Sequence, residues 1–131
     1  MLNIKEIRSR IFSINKNDYP GNKLVASVAI LGNSEYFGHN TRKSHPEMIR
    51  QFRNGSCGSC SHAEVSALNK VPRQCRHAVK LYVMRFLKNG TLSCAKPCQM
   101  CQGFLLRNGV DFKNVFYTNW EGDWERLSNE L

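Results

Sequence analysis

The stretch Ala78–Leu87, AVKLYVMRFL, decides the fold. It is rich in apolar, β-branched and aromatic residues, with only Lys80 and Arg85 charged. It reads as a strand buried on both faces, ended by the turn Lys88-Asn89-Gly90. Such a strand needs helices over the sheet, and its flanks supply them. Upstream, Ser61–Val71 reads as a helix with Val65 and Leu68 inward, stopped by Pro72. Downstream, Pro97 opens another helix at its favoured first position, and Asn108-Gly109 closes it. Asn114–Thr118, NVFYT, is a further strand. Strand–helix–strand alternation implies a parallel crossover covered by helices.

Toward the N-terminus the pattern changes. Lys23–Leu31 is a buried strand, Gly32-Asn33-Ser34 a tight turn, and Glu35–Gly38 a returning strand, which makes a hairpin. Residues 2–14 place Leu2, Ile4, Ile7, Ile11, Phe12 and Ile14 largely on one helical stripe. Residues 15–22, NKNDYPGN, are a turn cluster. Residues 39–60 are polar, with a short helix expected at Glu47–Arg53, and end in the loop-like NGSCGSC. The expected class is α/β, with a mixed sheet, an N-terminal hairpin and parallel crossovers. No repeat or linker breaks the chain, so residues 1–131 read as one domain.

Of the 131 residues, 19 are Lys or Arg and 10 are Asp or Glu, for a net charge of +9. Hydrophobic residues at 41% and charged residues at 22% are those of a globular chain, not a disordered one. No apolar run approaches the ~18 residues of a membrane span. The start, MLNIKEIRSRIF, mixes charges among its apolar residues and is no signal peptide. A cytoplasmic location is therefore expected. There the six cysteines are metal ligands or bystanders more readily than disulfides. The charge is uneven: basic through residue 113, acidic thereafter, where Arg126 stands against Glu121, Asp123, Glu125 and Glu130. It suits a polyanion such as nucleic acid, a phosphorylated small molecule, or solubility alone.

His62, Cys98 and Cys101 are the candidate metal ligands. Cys98-Gln-Met-Cys101 puts two thiols on one face of a first helical turn. A helix N-terminus favours thiolate. His62 also begins a helix, so two helix starts can present one nitrogen and two sulfurs. Three ligands with a fourth place open to water is the catalytic zinc arrangement. Glu64 is then the nearby carboxylate.

These residues spell His62-Ala63-Glu64 and Pro97-Cys98-Gln99-Met100-Cys101, the H-x-E and P-C-x-x-C signature of zinc deaminases. The chain strongly resembles the cytidine/deoxycytidylate deaminase superfamily, which also holds tRNA adenosine deaminases and the APOBEC enzymes. The resemblance extends to the element order, LYVMRF, LLRNGVDFKNVFYTN and Gly38-His39-Asn40. It implies the three-layer α-β-α cytidine-deaminase-like fold and one catalytic zinc per chain. It makes Glu64 the proton shuttle, sets the Ala63 amide against the base carbonyl, and has Asn40 orient the nucleoside. It also implies a homo-oligomer, though no segment reads as an interface.

Each residue has a plainer role too. Ser61-x-x-Glu64 is a capping box. Asn40 suits a turn. Cys57 and Cys60, with Cys75 and His77, could hold a second, structural zinc, but the spacing is not a standard one; a redox pair or unpaired thiols are the alternatives. Cys94 reads as a bystander, and His39 and His45 as solvated loop residues. Trp120 and Trp124 read as tail packing rather than base stacking, since the acids around them repel phosphate. Arg42, Lys43, Arg50 and Arg53 precede the HAE helix and are candidate phosphate contacts against a solvated-face reading.

The expected function is zinc-dependent hydrolytic deamination of cytosine in a free nucleotide or nucleoside. The alternatives are a deaminase of cytosine or adenine within single-stranded DNA or RNA, and a non-catalytic zinc-binding module. The chain departs from better-known subfamilies at Ala95-Lys96, where an acidic residue usually precedes the PC pair, and in the long segment between Asn40 and His62.

Overall fold

A computed structural model describes residues 2–14, 24–40 and 62–127. Helix α1 (Ile4–Phe12) starts where the Asn3 side chain accepts a hydrogen bond from the Glu6 N–H at 3.2 Å. It turns Ile7 and Ile11 inward. Strands β1 (Leu24–Leu31) and β2 (Ser34–His39) form the expected hairpin, in register from Leu31↔Ser34 to Ala26↔His39. The expected helix before the central strand is α2 (Ala63–Leu68), shorter than its sequence pattern. It gives way to a 3₁₀ turn at Arg73–Ala78, directly after Pro72, which is where the chain loses its amide donor.

Strand β3 (Lys80–Phe86) is the centre of the sheet. It pairs antiparallel with β1 and parallel with β5 (Val115–Thr118), in register from Leu81↔Val115 to Val83↔Tyr117. Helix α3 (Gln99–Arg107) makes that crossover. It ends as expected: Gly109 takes φ 79°, and the Val110 N–H reaches back to the Leu105 carbonyl at 2.9 Å. Two short strands escape the sequence pattern. β4 (Leu92–Ser93) pairs with the end of β3, and β6 (Trp124–Arg126) extends the sheet beyond β5. Two residues are too few to show a period, and β6 is exposed along its length, so its alternation carries no apolar signal.

The layers follow from strand parity. Leu81 and Val83 belong to one core with Val65 and Leu68 of α2 and Phe104 and Leu105 of α3. Met84 and Phe86 belong to another with Ile7 and Ile11 of α1. The sheet is therefore the middle of three layers. Among the described residues, no helix is long and apolar enough to cross a membrane.

Two contacts fix the layer that matters for the site. Arg76, 6% exposed, ties the end of α2 to the end of α3. Its Nε donates to the Val71 carbonyl at 3.1 Å, and its other nitrogens reach Asn108 Oδ1 at 2.9 Å and the Asn69 carbonyl at 3.4 Å. Gly38 lets α2 lie on β2. A Cβ there would stand 2.3 Å from the Ala67 nitrogen and 2.8 Å from the Ala63 carbonyl oxygen. Both are backbone atoms, which cannot step aside as a side chain could. Gly38→Ala is therefore expected to cost about 3 kcal/mol, the upper end of ordinary overpacking. Denaturant unfolding measures it, and a loss below about 1 kcal/mol would show that α2 is not seated on β2 as described.

Candidate metal centre

Helices α2 and α3 both run back against the parallel strands they precede. Their N-termini therefore lie at the carboxyl ends of β3 and β5, the usual ligand position of such sheets. The Ala95 N–H donates to the Thr118 carbonyl at 2.8 Å, and the Thr118 hydroxyl to the Ser93 carbonyl at 2.6 Å. These bonds hold the segment before Pro97 to the end of β5.

His62 is the N-cap residue of α2, and Cys98 that of α3. Cys101 is then the third residue of α3. This corrects the placement of Pro97, which lies buried just before the helix rather than at its first position. It also removes the capping-box frame. With His62 as N-cap, Glu64 is the second helical residue, whereas a capping box needs the third. Ser61 lies outside the described residues.

The ligand atoms of His62, Cys98 and Cys101 all lie within 4.8 Å of one another. His62 Nδ1 is 3.0 Å from Cys101 Sγ and 3.5 Å from Cys98 Sγ. Tetrahedral zinc, with its usual bond lengths to nitrogen and sulfur, sets an N···S pair about 3.6 Å apart. One imidazole nitrogen and two thiols at this spacing fit a catalytic zinc ion, with room for a fourth ligand. Cys101 is buried and Cys98 exposed, so the group opens to solvent on the Cys98 side.

The hydrogen bond with Cys101 brings the Cys98 pKa down to about 4 against the opposing effect of burial, and His62 helps. The same bond, then burial, pushes Cys101 well above the thiol range. Glu64 is 5% exposed. Burial raises its pKa; the neighbouring His62 opposes the rise.

Asn40 is buried at the end of β2, and its Oδ1 accepts from the Val25 N–H at 3.1 Å. That oxygen therefore serves the backbone of β1, fifteen residues away, rather than the local turn that the sequence suggests. Ala63 is buried, at the start of a helix with no side-chain cap. His39 Nδ1 bonds the Asn40 carbonyl at 2.9 Å. Cys75 is half-buried and His77 exposed, and neither joins the metal-ligating group found among the described residues. Cys57, Cys60, Arg42, Lys43, Arg50, Arg53 and His45, with the helix expected at 47–53, lie outside those residues. Trp124 packs edge-on to Tyr82 with ring centroids 5.5 Å apart, as expected of the tail, but Trp120 is 73% exposed. Arg85 is a lone cation inside LYVMRF, at the parity of Leu81 and Val83.

The ligand set predicts about one zinc per chain, lost in His62→Ala and Cys101→Ser but retained in Cys75→Ser. Elemental analysis of the purified variants checks this. Chelation should lower stability by about 4 kcal/mol when free zinc stands a thousandfold above its dissociation constant. Equal zinc in Cys101→Ser and Cys75→Ser would refute the assignment.

No curated protein and no solved structure matched the chain. A family model described as the cytidine and deoxycytidylate deaminase zinc-binding region matches residues 10–118, which run from the last turn of α1 through β5 and include all three ligands. The chain belongs to the zinc-binding cytidine and deoxycytidylate deaminase family.

Proposed function

We propose that the protein hydrolytically deaminates cytosine in a free nucleotide or nucleoside, giving uracil and ammonia. The observation that carries this reading is Glu64, a buried carboxyl whose pKa is raised, two residues from His62. A structural zinc site has no use for a buried acid beside it, whereas a proton shuttle needs one with a pKa moved toward neutrality.

When bound, zinc supplies a water that ionises near neutral pH. Glu64 takes a proton from the attacking water and gives it to the ring nitrogen, then carries one to the departing amine. The exposed side of Cys98 is the approach for the base. In the family arrangement the Ala63 N–H meets the base carbonyl, and Asn40 faces the sugar through its amide nitrogen. The net charge of +9 supports a second reading, the same chemistry on a base within a single strand.

Two outcomes test Glu64. Glu64→Gln should lose about 10²–10⁴ of the deamination rate, read as ammonia release from dCMP, cytidine and deoxycytidine. Its effect on stability should depend on pH. The folded pKa of Glu64 is raised, so the wild-type protein loses stability as pH rises from the unfolded value, about 4.3, through the folded one. In the metal-free protein Glu64→Gln removes that loss. It should be more stable than wild type at pH 7 and gain nothing near pH 3.5, where Glu64 is protonated in both states. Denaturant titrations at the two pH values decide it, and an equal difference at both would exclude a desolvated carboxyl.

A further inference from the structure

Arg85 lies one pleat beyond Val83 on β3 and shares the parity of Leu81 and Val83. Those two pack under α2 and α3, so Arg85 points to the same side of the sheet as the metal centre. It also lies at the same end, because β3 runs toward the N-termini of both helices. Its sheet neighbours are Val25 on β1 and Ser93 on β4. Val25 is in turn bonded to Asn40 through both backbone groups, the N–H to Asn40 Oδ1 and the carbonyl to the Asn40 N–H at 3.2 Å. Asn40, Val25, Arg85 and Ser93 thus form one row across the sheet at its ligand-site end.

The Arg85 side chain has an unmet donor there, as Arg8 has on the opposite side of the sheet. Arg85 is half-buried, and its Nε is removed from solvent with no hydrogen-bond partner. Among the described residues no carboxylate pairs with it. A guanidinium offers five donors in a rigid fork, and leaving a buried one unpaired costs stability. Arg76 shows how this chain treats a cation that only holds the fold: all its nitrogens are bonded to protein oxygens. The Arg85 Nε–H, without a protein partner on the face and at the end of the sheet that carry the ligand group, is open to an anion from outside. The planar fork matches a phosphate in two-point contact.

We propose that Arg85 is the specificity residue that binds a phosphate of the substrate, so that the site takes phosphorylated nucleosides in preference to bare ones. This rests on the deaminase reading for the identity of the base, but not for the anion site itself. The phosphate is that of a free nucleotide or of a strand, and the ligands below separate the two.

Zinc-loaded wild type, Arg85→Gln and Arg85→Lys would be titrated with uridine, uridine 5′-monophosphate and a short single-stranded oligouridylate, none of which is deaminated. A charge-assisted contact makes the phosphorylated ligand bind roughly tenfold to a hundredfold tighter than uridine in wild type. That ratio should collapse toward one in Arg85→Gln and be partly kept in Arg85→Lys. Collapse for the monophosphate assigns a free nucleotide, and collapse for the oligonucleotide alone assigns a strand. In parallel, the Nε–H resonance of Arg85, identified by its absence in Arg85→Lys, should shift as inorganic phosphate is added. A shifted resonance in a protein that deaminates no cytosine compound would leave the anion site standing and refute the deaminase reading. An unshifted resonance, or ratios unchanged in Arg85→Gln, would overturn the proposal.

Discussion

The parallel pairing of β3 with β5 is the constraint from which the site follows. It is only three residue pairs long, from Leu81↔Val115 to Val83↔Tyr117. Parallel strands cannot be joined by a tight turn, so the chain must cross over through α3. A crossover on that face buries Phe104 and Leu105 against Leu81 and Val83. It also delivers the N-terminus of α3, with Cys98 and Cys101, to the carboxyl end of the strands. Helix α2 reaches the same end from the other direction, seated on β2 through the missing side chain of Gly38. The ligand triangle needs both helices, and residues on neither can form it alone.

What the site holds is chemically expensive. Cys101 and Glu64 are buried together, and each keeps a proton more tightly than it would in water. A divalent ion reverses this for the thiols, because its charge favours the deprotonated sulfurs that ligate it. Glu64, the proposed proton carrier, lies beside the ligand set rather than within it. Position along one helix separates the ligand from the proposed shuttle: His62 at the cap, Glu64 two residues on.

The part of this arrangement legible in sequence was the part written in periodicity and short spacing. The strand AVKLYVMRFL, the hairpin around Gly32-Asn33, the Gly109 helix stop and the HAE and PCxxC pairs each depend on near neighbours. The exact helix starts were less legible, since Pro97 suits the position just before a helix as well as its first residue. Strand β6 was hidden because an exposed edge leaves no apolar alternation to read. In sequence Gly38 reads as the end of the returning strand and the start of G-x-N. Its packing role depends on Ala63 and Ala67, more than twenty residues away, and no local pattern encodes that distance.

The two arginines near the helix ends carry the same point further. In sequence Arg76 stands in a polar run and Arg85 in an apolar one, which would make Arg85 the structural residue and Arg76 the solvated one. The fold inverts this. Arg76 is buried because the carbonyls of Asn69 and Val71 need donors where α2 ends short of β3. Arg85 is left over because β4 pairs with β3 at that residue and turns the chain back toward Pro97. The Arg85 N–H donates to the Thr118 hydroxyl at 3.4 Å, while its Nε has no partner. The β3–β4 turn leads the chain from Arg85 to Ala95-Lys96, directly before the PC pair. Residues 85–97 carry Arg85, Lys88 and Lys96 and no carboxylate, a charge balance that favours anions along this segment.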